Sequence, residues 1–91
     1  MTTKHWTIEI YIDQRDDGTT RARARLDTSD DVHLHGHGTA GPTPQEAAVP
    51  EISEQVAVAQ ALSQISHTLF SRAELDTRKA NEAQYLSLTG A

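Results

Sequence analysis

"TTRARARLDTSDDVHLHGHGT", residues 19–39, decides the fold. Ala22, Ala24, Leu26, Val32, Leu34, Gly36 and Gly38 are small or apolar, and they alternate with Arg21, Arg23, Arg25, His33, His35 and His37. A period of two belongs to a strand with one face turned to a core and the other to water. The stretch therefore reads as two strands with a slim inner row and an outer row of arginine and histidine. The same period extends toward the N-terminus. In "HWTIEIYID", residues 5–13, Trp6, Ile8, Ile10 and Ile12 alternate with Thr7, Glu9 and Tyr11, which makes a first half-buried strand.

Parity sets how these strands pair. Ile12 and Ala22 must face the same side, so the intervening loop holds an odd number of residues, and Asp16-Asp17-Gly18 fits a three-residue hairpin loop. Such a loop is a type I turn followed by a residue at positive φ, which glycine adopts without a Cβ penalty. The resulting register sets Asp13 opposite Arg21, Tyr11 opposite Arg23 and Glu9 opposite Arg25, and predicts two cross-strand ion pairs and a cation–π contact. By the same parity, a loop at Thr28-Ser29-Asp30 would put Arg25 and Arg23 opposite His33 and His35.

Beyond the third strand, "AGPTPQEAAVP" is a loop carrying three prolines, within which Thr43-Pro44-Gln45-Glu46 has the form of a capping box that starts one helical turn. "EISEQVAVAQALSQISHTLF", residues 51–70, reads as the main helix. Its expected inward stripe is Ile52, Val56, Ala59, Leu62 and Leu69, with Val58 and Ile65 beside it, and its alanines would let helix and sheet approach closely. Ser71-Arg72-Ala73-Glu74 reads as a second capping box opening a polar helix to about residue 83, and residues 85–91 as a loosely held tail. The fold class is α+β: a three-stranded antiparallel meander, a main helix packed on one sheet face and a short C-terminal helix.

With 91 residues the chain forms a single domain, 1–91, with a small core. The absence of cysteine excludes disulfides and thiolate metal sites. "MTTKHW" lacks the apolar region of a signal peptide and no apolar run suffices to span a bilayer, so a cytoplasmic protein without a membrane partner is expected. A net charge of −5 argues against a general nucleic-acid binder.

Within this order of elements, "HWTIEIYID", "TRARARL", "GHGTAGPTP" and "VPEISEQVAVAQALSQIS" resemble the small actinobacterial family known as domain of unknown function 1876, or dsRBD-like, over residues 5 to 75. The resemblance implies a compact α/β homodimer, similar in structure to ribosome hibernation-promoting factors, and a ribosomal or structured-RNA partner. His35 and His37 stand where that family tends to carry apolar residues.

The candidate site is the outer face, with Arg21, Arg23, Arg25, Tyr11, His33, His35 and His37. Histidines two apart on a strand lie about 6.8 Å from each other and the outer two of three about 13 Å apart, so one ion cannot bind all three. The neighbouring strand offers arginines instead of further ligands, so no metal or cofactor is expected. The arginines allow two readings, cross-strand pairing with Asp13 and Glu9 or a positive stripe for phosphate, and only Tyr11 and Trp6 are near enough for base stacking. The chain has no glycine-rich phosphate loop and no nucleophile with a base at a recognisable spacing, and Ser53, Ser63, Ser66 and Ser71 read as surface or capping residues, so an enzyme is not expected. A three-stranded meander leaves open edges, and the third strand has no lysine or proline to block pairing, which favours a homodimer. Two functions follow: a ribosome- or RNA-associated stress factor, or a protein-interaction or regulatory dimer that binds no nucleic acid.

Overall fold

The computed structural model describes residues 1–41 and 50–88, with helical side chains as far as residue 82. Three strands, β1 (Thr7–Gln14), β2 (Thr20–Asp27) and β3 (His33–Ala40), form an antiparallel sheet in the order β1-β2-β3, followed by one helix, α1 (Pro50–Leu88). The expected α+β meander with a helix on the sheet is what the chain forms. The candidate capping box at Thr43–Glu46 and residues 89–91 lie outside the described residues.

The first hairpin takes the register that parity required, with Asp13, Tyr11 and Glu9 facing Arg21, Arg23 and Arg25. Gly18 stands at φ 87°, and its amide donates to the Arg15 carbonyl at 3.0 Å. The second hairpin departs from expectation: Arg25 faces His35 and Arg23 faces His37, a shift of two residues from the pairing with His33 and His35. The loop is Ser29-Asp30-Asp31, closed by the Thr28 amide on the Val32 carbonyl at 2.9 Å. Asp31 at φ 62° occupies the position that Gly18 holds in the first turn. Aspartate tolerates the left-handed region. The Thr28 hydroxyl accepts from the amides of Asp30 and Val32, which organises the turn one residue later than a Thr28-Ser29-Asp30 loop would.

The expected second helix is absent as a separate element; α1 runs through Ser71 without interruption. A cap needs a residue with non-helical backbone, and no glycine or proline lies between Pro50 and Gly90 to create one. The hydroxyls near the expected break bond backward along the helix, Thr68 to the Gln64 carbonyl at 3.0 Å and Thr77 to the Ala73 carbonyl at 2.7 Å. Thirty-nine helical residues span about 58 Å and eight strand residues about 27 Å. The C-terminal half of α1 therefore projects past the sheet, and the molecule is 66 Å long against 26 and 19 Å.

The core is Ala22, Ala24, Leu26, Leu34, Ala40, Ala57, Ala61 and Ile65, with Val32, Val58 and Leu69 partly buried against it. α1 packs on β3 and β2 and scarcely touches β1. A Cβ added at Gly36 would fall on the carbonyl oxygen of Ala61, and one at Gly38 on that of Ala57, so helix and strand meet backbone to backbone. Only small side chains fit that gap. This overturns part of the expected inward stripe: Ser53, Ala57, Ala61 and Ile65 face the sheet with Val58 and Leu69 partly buried beside them, so Ile65, Val58 and Leu69 lie as expected, while Ile52, Val56 and Leu62 are 37–38% exposed and Ala59 is exposed too. The isoleucines of β1's inner row, Ile8, Ile10 and Ile12, are likewise 38–43% exposed, because the helix does not extend over them.

Candidate functional site

With α1 on the inner face, the odd-numbered side chains of β2 and β3 form the uncovered face. Arg21, Arg23, Arg25, His33, His35 and His37 are all exposed, and Tyr11 joins them from β1. The register puts Arg25 beside His35 and Arg23 beside His37. Every residue predicted for the site is thus on one surface.

The arginine ion pairs form along a diagonal or within one strand instead of directly across. Asp13 meets Arg23 at 3.5 Å, and Arg25 bonds Asp27, two residues along its own strand, at 2.8 Å. Glu9 accepts from the Tyr11 hydroxyl at 2.8 Å in place of the expected pairing with Arg25. Strand twist brings diagonal neighbours within reach of long side chains. The Arg23 guanidinium stands 5.6 Å from the centre of the Tyr11 ring, the cation–π contact that the register predicts. The Glu9 hydrogen bond and negative charge raise the Tyr11 phenol above its ordinary value. Among the described residues, Arg21 has no carboxylate within ion-pairing distance.

At the second turn a polar cluster gathers. His33 Nδ1 meets Asp27 Oδ1 at 2.5 Å and His33 Nε2 meets Asp31 at 3.4 Å, while Arg25 Nε donates to the same Asp27 oxygen at 2.8 Å. The hydrogen bonds from His33 and then Arg25 push the Asp27 carboxyl below its ordinary value. Arg25 is in turn raised by Asp27. In the first turn the Thr19 amide donates to Asp17 at 2.9 Å and lowers that carboxyl.

Sequence reasoning missed the edge of β3. The amides of His37 and Thr39 donate to the side-chain oxygens of Gln64 and Gln60, at 2.8 and 3.0 Å. The helix thus caps two amides of the edge that was expected to lie open on the third strand. Two glutamines four apart in an alanine-rich helix were the signal. His35 and His67 line a shallow depression at this edge with Ser63, Gln64 and Thr68. Among the described residues no three metal-ligating side chains converge, and no helix is long and apolar enough to cross a membrane.

The sequence pattern of the Rv2632c-like family matches residues 4–85, which takes in all three strands and nearly the whole helix. The chain belongs to the Rv2632c-like family. Two mycobacterial relatives are each 44% identical over 62 residues: uncharacterized protein Mb1767 of Mycobacterium bovis and uncharacterized protein MT1780 of Mycobacterium tuberculosis. The match covers 68% of this chain and 64% of each relative, so the chain spans a little under two thirds of their length. The Rv2632c-like family is thus a small actinobacterial family of unknown function, and its membership assigns no chemistry to the outer face.

Proposed function

We propose that the protein is a non-enzymatic cytoplasmic homodimer whose outer sheet face binds structured RNA, the ribosome being the partner that its resemblance to the dsRBD-like family and to hibernation-promoting factors implies. One observation carries this reading: the arginines of β2 and the histidines of β3 are exposed side by side on the sheet face opposite α1. The carboxylate partners do not argue against it strongly, because exposed ion pairs contribute only about 0–1 kcal/mol and phosphate can displace them. Tyr11 is engaged by Glu9 and Arg23, so contact is with the phosphate backbone and not by base stacking.

The opposing reading, a protein-interaction or regulatory dimer, draws on the carboxylates that hold Arg23 and Arg25 and on the net charge of −5. Ribosome co-sedimentation separates the two. Binding that weakens with salt, strengthens as pH is lowered from about 7.5 to 6, and loses its salt slope when Arg21, Arg23 and Arg25 become glutamine supports RNA contact. Absence of sedimentation at low salt and pH 6 gives the protein-partner reading precedence.

A further inference from the structure

Among the described residues, two apolar rows stand exposed. One is Ile8, Ile10 and Ile12 on the inner face of β1. The other is Ile52, Val56 and Leu62 on α1, with Ala59 between them and Phe70 beyond, itself 70% exposed. At about 100° per residue, Ile52, Ala59 and Phe70 lie nearly opposite the buried Ala57 and Ala61, and Val56 and Leu62 flank them. Gln55, Ser63 and Ser66 share this outward face, which carries no charged residue between Ile52 and Phe70.

We propose that a second copy of this chain covers both rows at once: β1 of each copy lies on the outward stripe of the partner's helix. This rests on the homodimer reading given above and assigns its interface. The rows match in chemistry, since neither contains a charged residue, and in length. Ile8 to Ile12 spans about 14 Å of strand and Ile52 to Leu62 about 15 Å of helix.

They also match in position. Ile10 shares a rung of the sheet with Ala24 and Gly36, and Gly36 abuts Ala61. A two-fold axis parallel to the strands preserves that level, so Ile10 meets the partner's helix near Ala59 and Leu62. The helix has space for this on the correct side. Gln60 and Gln64 reach the β3 edge on one flank of α1, and Glu54 accepts from Gln14 of β1 at 3.2 Å on the other, which leaves Val58, Leu62 and Leu69 toward β1. The two helices then lie side by side between two sheets, each gripping its own sheet through Ala57 and Ala61 and the other sheet through Ala59 and its neighbours. Isologous contact of this kind closes at two copies. Both arginine–histidine faces remain open at opposite ends of the dimer.

The test uses two variants of the full chain, Ile10→Lys and Ala59→Glu. Both positions are exposed in the single chain, so helical circular dichroism should persist. Light scattering should give wild type twice the 10.0 kDa chain mass and each variant alone the single mass. Mixed in equal amounts, the variants should recover the double mass, because one contact is then wild type and the other joins the introduced ammonium to the introduced carboxylate. The cysteine-free background allows a milder second measurement. Oxidising a mixture of Ile10→Cys and Ala59→Cys chains should link one to the other.

If wild type is a monomer throughout, the homodimer reading itself fails. If wild type is a dimer but Ala59→Glu leaves it so, or Ile10→Cys links only to itself, the copies pair edge to edge through β1 and the assigned interface is wrong.

Discussion

β1 and β3 flank the same central strand, are each eight residues long and alternate inner and outer side chains, yet the helix packs on β3 and caps two of its amides while it scarcely touches β1. β3 carries glycine where β1 carries isoleucine on the same rungs, Gly36 against Ile10 and Gly38 against Ile12. The larger inner side chains are on the strand that the chain leaves exposed. Burial here follows backbone approach: a helix that touches strand backbone at two glycines excludes more water than one held off by branched side chains, and it also brings two glutamines to the strand's free amides.

The sharpest way to break this contrast is to give β3 a side chain. Gly38→Val places carbon on the Ala57 carbonyl and must lift the helix from the sheet, so the cost should reach or exceed the upper end of the ~1–3 kcal/mol typical for overpacking. Ile10→Val in β1, assayed at dilution, should cost under about 1 kcal/mol. Urea unfolding followed by circular dichroism checks both; equal costs would mean that β3 is no more tightly closed than β1.

Removing the edge caps should have a smaller effect. Gln60→Ala and Gln64→Ala each leave a strand amide to water and should lose about 0.5–1.5 kcal/mol. The double variant should in addition associate through the uncapped β3 edge, giving concentration-dependent mass in sedimentation. A double variant as stable and as well defined in mass as wild type would show that the glutamines do not guard the edge.

The smallest effect at neutral pH concerns the polar end of the sheet. Asp27 is held below its ordinary carboxyl value by His33 and Arg25, so its contribution to stability is present above the unfolded carboxyl value of about 4 and is lost as pH falls through the depressed folded value. Asp27→Asn should flatten the acid limb of the stability–pH curve. An unchanged acid limb would remove the His33–Asp27–Arg25 cluster from the account of the second turn.

Much of this was legible along the chain. The period of two located all three strands, and parity with Gly18 set the first hairpin, because both are local properties of a pleated backbone. Collecting Arg21, Arg23, Arg25 and the three histidines on one face required nothing more. The second hairpin slipped by two residues because Asp31 can adopt a conformation that its residue type merely permits. Periodicity also identified the stripe of Ile52, Val56, Ala59, Leu62 and Leu69 with Val58 and Ile65, and of these Ile65, Val58 and Leu69 do turn to the sheet while the first four turn away, since small residues on the neighbouring face fit the sheet more closely. Gly36 and Gly38 decided the matter in three dimensions: where two backbones can touch, the face that fits between them is the one made of serine and alanine, and the bulkier stripe turns away.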